Sequence, residues 1–233
     1  MFDFSNRVVL ITGAAGNLGR AAAQAFLACG GIVVAVDHSR DRLESSYGDA
    51  LLTGGRLILQ AADANVPDSV ARAVAHTVEG QGGIDVLVNT VGGYRAGTPV
   101  HETPLETWDF MMTLNARTAF IASRAVAPHM LKAGRGKIIH VASRAALSGG
   151  AGAAAYSASK SALMRLTESL AAELKPAVNV NCVMPSTIDT PQNRQAMPDA
   201  DHSRWTKTEA IADVILFLAS DAARAVHGAA IPV

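Results

Sequence analysis

A tyrosine and a lysine in the second half of the chain have the spacing of a paired acid and base. Tyr156 and Lys160 stand four residues apart, which places their side chains on one face of a helix. A lysine ammonium beside a phenol stabilises the phenolate, so it lowers a tyrosine pKa that is otherwise about 10. Ser143, thirteen residues before Tyr156, can hydrogen-bond a carbonyl oxygen on which charge develops. These three side chains predict a site for hydride transfer at a carbonyl or alcohol carbon.

A glycine-rich turn near the start of the chain can hold a dinucleotide. It lies between the apolar run Val8–Ile11 and an alanine-rich stretch that begins at Leu18. Glycine lets the backbone approach a pyrophosphate, and the N-terminus of the following helix favours the negative charge. The predicted cofactor contacts in this turn are Gly13, Gly16, Asn17, Leu18 and Gly19.

Asp37 follows the second apolar run, residues 32–36, at the position where a carboxylate binds both ribose hydroxyls and repels a 2′-phosphate. The sequence therefore favours NAD(H) over NADP(H), and Arg40 stands close enough to weaken that preference. No metal site is expected, because the seven histidines show neither HxxxH spacing nor a neighbouring cysteine cluster.

Short apolar runs alternate with longer helical stretches, and this alternation predicts the fold. We expect strands at 8–11, 32–36, 56–61, 84–88, 137–141, 178–183 and 229–233. We expect helices at 18–29, 68–78, 154–174 and 210–219, and a long, interrupted helical region from a capping box at 103–106 to residue 131. The prediction is a three-layer, doubly wound α/β Rossmann fold with a parallel sheet, in a single domain over residues 1–233.

Composition excludes several classes of protein. The 233 residues include 49% hydrophobic and 17% charged residues with a net charge of +0, which suits a compact enzyme and gives no field for nucleic acid or anionic membrane. No apolar run approaches about 18 residues, so no membrane span is expected. Residues 1–7 lack a basic segment followed by an apolar one, and we expect a cytoplasmic protein with Cys29 and Cys182 as small buried residues.

The joint spacing of these motifs resembles the short-chain dehydrogenase/reductase family over nearly the whole chain. The resemblance implies a catalytic tetrad of Asn115, Ser143, Tyr156 and Lys160. It implies that Tyr156 is the acid and base, and that Lys160 holds the nicotinamide ribose and lowers the tyrosine pKa. Ser143 would orient the substrate, and Asn115 would anchor a water that links Lys160 to solvent.

The same resemblance implies further contacts and an assembly. Asp63 and Ala64 would flank the adenine, and the segment Asn89–Gly92 would replace the family's Asn-Asn-Ala-Gly. Asn17 replaces the second glycine of the turn, and Pro185 is followed by serine rather than glycine. The remaining implied cofactor contacts are Asn89, Val91, Gly92, Tyr156, Lys160, Pro185, Ile188 and Thr190. The family resemblance also implies a homotetramer or homodimer built from the helices around 113–131 and 155–174.

A narrower resemblance leaves the substrate open. Residues 185–205 and the Gly92–Tyr94 segment are similar to dihydropteridine reductases, which reduce quinonoid dihydropterin with NADH and commonly lack a serine at the position of Ser143. Ser143 therefore favours carbonyl or alcohol chemistry, and a nucleotide-sensing regulator on the same fold is an alternative of another class. Candidate substrate contacts are Tyr94, Arg144 and Trp205, and Trp108 is expected in the core.

Overall fold

Parallel strands form the centre of the molecule in the computed structural model, which describes residues 2–48 and 54–233. In chain order the strands are β1 (Val8–Thr12), β2 (Ile32–Asp37), β3 (Leu57–Ala61), β4 (Val86–Asn89), β5 (Gly136–Val141), β6 (Val178–Met184), β7 (Ile188–Asp189), β8 (Thr206–Lys207) and β9 (Ala230–Pro232). The main sheet has the order β3-β2-β1-β4-β5-β6-β9, and β7 pairs only with β8.

Helices connect the strands and cover both faces of the sheet. They are α1 (Asn17–Ala28), α2 (Arg40–Ser46), α3 (Pro67–Gln81), α4 (Leu105–Met112), α5 (Thr118–Ala133), α6 (Ala154–Leu174), α7 (Pro191–Ala196) and α8 (Thr208–Ala219). None of the helices within the described ranges combines the length and the apolar character needed to cross a bilayer.

Two apolar clusters separate the three layers. On one face of the sheet, Phe26 of α1 and Ile215 of α8 pack in the same cluster as alternate residues of the strands. On the other face, Val74 of α3, Val126 of α5 and Ala171 of α6 form a second cluster. Because both faces of β1 are covered, all five of its residues are buried, as expected for a central parallel strand. The predicted doubly wound Rossmann fold is confirmed.

A crevice opens where the strand order reverses. Thr12, the last residue of β1, pairs with Val36 of β2 on one side and Asn89 of β4 on the other. The connections that follow β1 and β4 leave in opposite directions, so the carboxyl ends of these strands border a gap.

The predicted interruption of the long helical region is confirmed. A π turn, Thr113–Arg117, separates α4 from α5 and buries Asn115. Turns of this type occur frequently at functional sites.

Two local predictions about α4 were wrong. No side chain caps α4: Pro104 stands at its N-cap, and the hydroxyl of Thr103 instead donates to the carbonyl oxygens of Thr98 and Pro99. Trp108 is 43% exposed rather than in the core, because α4 packs against α6 and buries Met111 instead.

The last helix begins at Thr208, two residues before the predicted start at 210. Lys207 stands at the N-cap of α8 without a side-chain hydrogen bond, and Thr206 belongs to β8. The Thr206 hydroxyl lies 3.2 Å from that of Ser186, so it joins the two connections that precede α7 and α8.

Candidate active site

A cleft of about 450 Å³ occupies the crevice between the ends of β1, β2 and β4. Its lining includes the predicted cofactor contacts Gly13, Gly16, Asp37, Asp63, Ala64, Val91 and Gly92. It also includes residues that the sequence did not single out: Thr12, Val36, His38, Arg42, Ala62, Asn65, Thr90 and Leu114. The size and position of this cleft suit a dinucleotide.

The glycine turn exposes backbone to this cleft. Gly13 has a φ of +70°, and a Cβ added there would lie 2.9 Å from the backbone nitrogen of Val91. A Cβ on Gly19 would collide with the carbonyl oxygen of Gly13, so this glycine allows α1 to pack closely on the turn. Gly16 stands at the N-cap of α1 without a side-chain cap, and the first N–H groups of that helix suit a phosphate.

Asn17 and Leu18, like Gly19, lie outside the lining of the cleft. Leu18 is buried in the apolar cluster beneath α1. The side-chain amide of Asn17 donates to Oε1 of Gln192 at 2.8 Å, which joins the turn to α7.

Asp37 lies at the edge of the cleft and holds the turn against β2. Its side chain is 6% exposed and accepts hydrogen bonds from the N–H groups of Ala15, at 3.2 Å, and His38, at 2.9 Å. The Arg42 guanidinium lies 3.3 Å from Oδ1, and Nδ1 of His38 lies 2.8 Å from it. The carboxylate therefore faces the cleft with one arginine at its side.

The arginine expected to weaken the NAD(H) preference was misidentified. Arg40 donates to Glu44 at 2.8 Å and to the Leu59 carbonyl at 3.0 Å, so its guanidinium is held away from Asp37. Arg42 contacts Asp37 instead, because it lies a half turn later on α2, a helix that the sequence analysis did not include.

The part of the cleft around Asp63, which the sequence predicts to contact the adenine, contains two polar residues two positions apart. Oδ1 of Asp63 accepts the N–H of Asn65 at 2.8 Å and so shapes this turn. Oδ1 of Asn65 is buried and has no hydrogen-bond partner among the described residues. Asn65 is a cleft residue that only its position two places after Asp63 could have indicated.

Asn89 lies below the cleft rather than in its lining. Its Oδ1 accepts the hydroxyl of Thr12 at 3.1 Å, while its Nδ2 is buried without a partner among the described residues. Thr90 turns its hydroxyl to the Thr12 carbonyl at 2.7 Å, so this segment is tied to β1.

Two members of the predicted tetrad, Asn115 and Lys160, lie beside Gly92 at the end of the cleft. Helix α6 carries Tyr156 and Lys160, and the π turn carries Asn115. A Cβ added to Gly92 would lie 2.9 Å from Oδ1 of Asn115 and 3.1 Å from Nζ of Lys160. Only a glycine leaves room there, so cleft backbone and these two side chains meet at one point.

Lys160 is a buried cation. Its side chain reaches past the end of β5, and Nζ donates to the carbonyl oxygen of Val141 at 2.9 Å. Burial lowers the pKa of Lys160 to about 8, and the nearby Cys182 thiol opposes that shift slightly.

The pKa of Tyr156 is raised, contrary to the expectation that Lys160 would lower it. Burial is the main cause of the raised pKa, the Ser143 hydroxyl acts against it, and Tyr94 adds to it. Ser143 itself follows β5 and accepts the N–H of Ala145 at 3.2 Å. At neutral pH the phenol therefore carries its proton.

The three candidate substrate residues differ in their surroundings. Tyr94 packs edge-on against the ring of Tyr156, with centroids 4.8 Å apart, and lines a second cavity of about 430 Å³. Arg144 is exposed in the turn after Ser143. The ring of Trp205 packs against that of His202, with ring centroids 4.3 Å apart. Of these three candidates, Tyr94 is the one whose ring packs against a side chain of the predicted tetrad.

Two of the predicted cofactor contacts near β7, Ile188 and Thr190, form hydrogen bonds with Asn193 of α7. The Ile188 carbonyl accepts Nδ2 of Asn193 at 2.8 Å, and Oγ1 of Thr190 accepts the N–H of Asn193 at 3.2 Å. The Thr190 hydroxyl proton remains free to donate. Pro185 accepts the N–H of Arg144 through its carbonyl, which places the segment beside the turn after Ser143.

These features fit a nicotinamide dinucleotide and give no sign of a metal. A Cβ added to Gly13 or to Gly92 would lie 2.9 Å from a neighbouring atom, so at both places the glycine backbone itself forms the wall of the cleft. The first N–H groups of α1 have no side-chain cap. Within residues 2–48 and 54–233, no group of three or more His, Cys, Asp or Glu side chains could hold a metal ion.

Comparison with known proteins gives matches over most of the chain. The sequence profile described as "short chain dehydrogenase" matches residues 7–201. The chain is 35% identical to 2-(R)-hydroxypropyl-CoM dehydrogenase of Xanthobacter autotrophicus, over 97% of this chain and 96% of that protein. It is 35% identical to meso-2,3-butanediol dehydrogenase of Serratia marcescens, over 99% of this chain and 94% of that one. The structure of NAD+-bound xylitol dehydrogenase superposes with a TM-score of 0.91 at 27% identity, covering 99% and 98% of the two chains.

Proposed function

Because the chain belongs to the short-chain dehydrogenase family of oxidoreductases, we propose that it is an NAD(H)-dependent enzyme that moves a hydride between nicotinamide and a carbonyl or alcohol substrate. The observation that carries this proposal is the meeting of cleft backbone, Asn115 and Lys160 at Gly92, with Tyr156 on the same helix as Lys160.

Tyr156 is the proposed acid and base. Its raised pKa keeps the proton on Oη at neutral pH, so in reduction the phenol donates that proton to the oxygen of the carbonyl. The Ser143 hydroxyl, close to the phenol, hydrogen-bonds the same oxygen as charge develops on it. In oxidation the proton moves in the opposite direction, from the alcohol to the phenolate form of Tyr156, and the hydride moves to the cofactor.

Lys160 is the proposed hydrogen-bond donor to the nicotinamide ribose of the cofactor. One of its three protons goes to the Val141 carbonyl, and the others are available to a ribose hydroxyl at Gly92. Asn115 keeps the backbone beside Gly92 in place through hydrogen bonds with Gly93. Bound NAD(H) would supply or accept the hydride.

Asp37 supports NAD(H) as the preferred cofactor. Its buried carboxylate repels a 2′-phosphate, and the single Arg42 contact compensates that charge only in part. Of the proposed cofactor contacts, Gly13, Gly16, Asp63, Ala64, Val91 and Gly92 line the cleft.

We also propose a homotetramer or homodimer in the cytoplasm. Exposed apolar side chains on α4 and α5, including Trp108 and Phe120, support the assembly. The free cysteines Cys29 and Cys182 suit a reducing compartment.

The test is turnover of NADH and NAD+ with ketones, secondary alcohols and 3-oxoacyl thioesters, beside quinonoid dihydropterin. We expect Tyr156→Phe to lower kcat by about 10²- to 10⁴-fold while NADH binding, followed by fluorescence, is retained. Ser143→Ala should also reduce turnover of carbonyl substrates. Unchanged turnover in Tyr156→Phe would contradict the proposed role.

The panel also distinguishes the alternatives. Turnover of dihydropterin far above that of the ketones, with Ser143→Ala unaffected, would favour a dihydropteridine-reductase-like activity. NADH binding without turnover of any substrate would favour a nucleotide sensor.

A further inference from the structure

Ser159 is a buried hydroxyl on the catalytic face of α6 to which the sequence assigns no role. It stands one residue before Lys160 and has 0% exposure. Its Oγ lies 2.7 Å from the carbonyl oxygen of Tyr156, to which it donates its only proton. Toward any other partner this hydroxyl can therefore act only as an acceptor.

The side-chain amide of Asn115 donates a hydrogen bond to the Ser159 hydroxyl oxygen. Its Nδ2 donates to Ser159 Oγ at 3.0 Å and to the Gly93 carbonyl at 3.1 Å and also lies 3.8 Å from Sδ of Met111, while its Oδ1 accepts the Gly93 N–H at 2.9 Å. Both amide protons and the amide oxygen therefore have partners. The two hydrogen bonds with Gly93 fix the orientation of the Asn115 amide, and the hydrogen bond to Ser159 fixes its position along α6.

Three separate elements meet at the Asn115 amide, one of them through the Ser159 hydroxyl. The π turn carries Asn115, α6 carries Ser159, and the segment after β4 carries Gly93 between two residues that touch the reactive groups. Gly92 borders Nζ of Lys160, and Tyr94 packs on the Tyr156 ring at 4.8 Å. A shift of this segment would change both contacts.

We infer that Ser159 is a positioning residue that locks Asn115, and through it the Gly92–Tyr94 segment, in register with Tyr156 and Lys160. This inference rests on the proposed function for its catalytic consequence. Its structural part can be measured without turnover, because the Gly93 N–H depends on the Asn115 oxygen.

The chain offers two matched controls on α6. Ser157 is buried, and its hydroxyl has no hydrogen-bond partner among the described residues, so Ser157→Ala controls for loss of a buried serine oxygen. Thr167 is also buried and bonds Leu163 and His140 two turns below Lys160, so Thr167→Val controls for loss of buried hydrogen bonds far from Asn115.

The experiment measures hydrogen exchange of the Gly93 amide by NMR, the Kd for NADH by fluorescence, and kcat at saturating cofactor. We expect Ser159→Ala to speed Gly93 exchange and to lower kcat, each on the order of 10-fold, because one Asn115 proton loses its oxygen acceptor and keeps only the weakly accepting Sδ of Met111. Ser159→Cys, which keeps a weak acceptor of similar size, should fall between Ser159→Ala and the wild type.

The Thr167→Val control separates a loss of stability from a loss of positioning at Asn115. Thr167→Val is expected to lower the thermal midpoint as much as Ser159→Ala does, with Gly93 exchange and kcat close to the wild type. Unchanged Gly93 exchange in Ser159→Ala would overturn the inference, and so would faster exchange with an unchanged kcat. If the wild type turns over no substrate, the proposed function fails, and Gly93 exchange with NADH affinity still decides the role of Ser159.

Discussion

Lys160 has the least favourable electrostatic position of any single residue in the site. Its ammonium is buried with the Val141 carbonyl as its acceptor, and burial lowers its pKa to about 8. In the part of the chain that the structure describes, no carboxylate lies within salt-bridge distance of it. The folded state therefore holds this proton less tightly than the unfolded state does, and charged Lys160 lowers the free energy of unfolding.

Lys160→Met should stabilise the protein while it removes activity. At pH 7 we expect the free energy of unfolding to rise by about 1–3 kcal/mol, after allowing for the lost bond to Val141. The wild type gains stability as the pH rises from about 8 toward 10.5, because only the unfolded state still holds the proton there. The difference between the two proteins, measured by urea unfolding at pH 7 and pH 10, should therefore shrink.

The exposed Lys132 provides the control for this measurement. Lys132→Met should change the free energy of unfolding little at either pH, because its side chain is already in water. An unfolding difference for Lys160→Met that is the same at both pH values would contradict the explanation from burial.

Asp37 gives a second prediction for a single residue. Asp37→Ser removes the carboxylate that repels a 2′-phosphate and frees the Arg42 guanidinium, so affinity for NADPH relative to NADH should rise about 10- to 100-fold. Fluorescence titration with both cofactors measures the ratio. Adding Arg42→Ala should cancel most of the gain, whereas adding Arg40→Ala should not, since Arg40 is held by Glu44. A ratio that Asp37→Ser leaves unchanged would show that another residue selects the cofactor.

Among the elements, β5 is joined to both α5 and α6 by one histidine. Nε2 of His140 lies 3.0 Å from Oγ of Ser123, and Nδ1 lies 2.9 Å from Oγ1 of Thr167. Because Thr167 donates its proton to the Leu163 carbonyl, Nδ1 carries the imidazole proton and Nε2 accepts from Ser123. Burial lowers the pKa of His140 to about 3, so this connection is neutral.

His140 should make the fold sensitive to acid. The unfolded state takes up a proton near pH 6.5 that the folded state refuses until about pH 3, so stability falls as the pH falls through this window. Between pH 7 and pH 5 the wild type should lose about 2 kcal/mol more than His140→Asn does, in urea unfolding at each pH. His76→Asn, at an exposed position, should lose as much as the wild type. Equal losses for His140→Asn and the wild type would exclude His140 as the cause.

The elements could be predicted from the sequence where local pattern and burial agree. Helix α6 has the predicted bounds 154–174, and the six strands from β1 to β6 lie within a few residues of the predicted runs. Contacts that depend on the direction in which an element presents each side chain could not be predicted in this way. Arg42 rather than Arg40 reaches Asp37 because of the phase of α2, and Ser159 meets Asn115 only once the π turn has formed.

For the whole molecule, several of the large apolar side chains that are exposed among the described residues lie on α4 and α5. Phe120 and Leu131 are about half exposed and lie eleven residues apart on α5, which is three turns and therefore one side of the helix. On α4, Trp108 is 43% exposed, whereas Phe110 lies two residues later on the other side of that helix, with the Arg95 guanidinium over its ring at 3.8 Å. Apolar surface of this kind is typical of an interface and supports the proposed oligomer.

Phe120→Asp should therefore weaken association. We expect a shift toward smaller species in sedimentation velocity at micromolar concentration, because a carboxylate would be buried without a partner at the interface. Phe217→Asp is the matched control, since Phe217 lies on α8, on the opposite face of the sheet, and contacts Phe2. An unchanged sedimentation profile for Phe120→Asp would show that the assembly uses another surface.

The strand order also has a consequence for the nascent chain. During translation β1 can pair with β2 soon after both leave the ribosome, but its other neighbour, β4, begins pairing at Val86, 77 positions after Val9. At about 5–20 residues per second this interval lasts roughly 4–15 s. Throughout it, one edge of this strand, whose five residues are all buried in the folded protein, offers unpaired N–H and C=O groups to other chains. Synthesis is thus the period when β1 is most open to pairing with another chain.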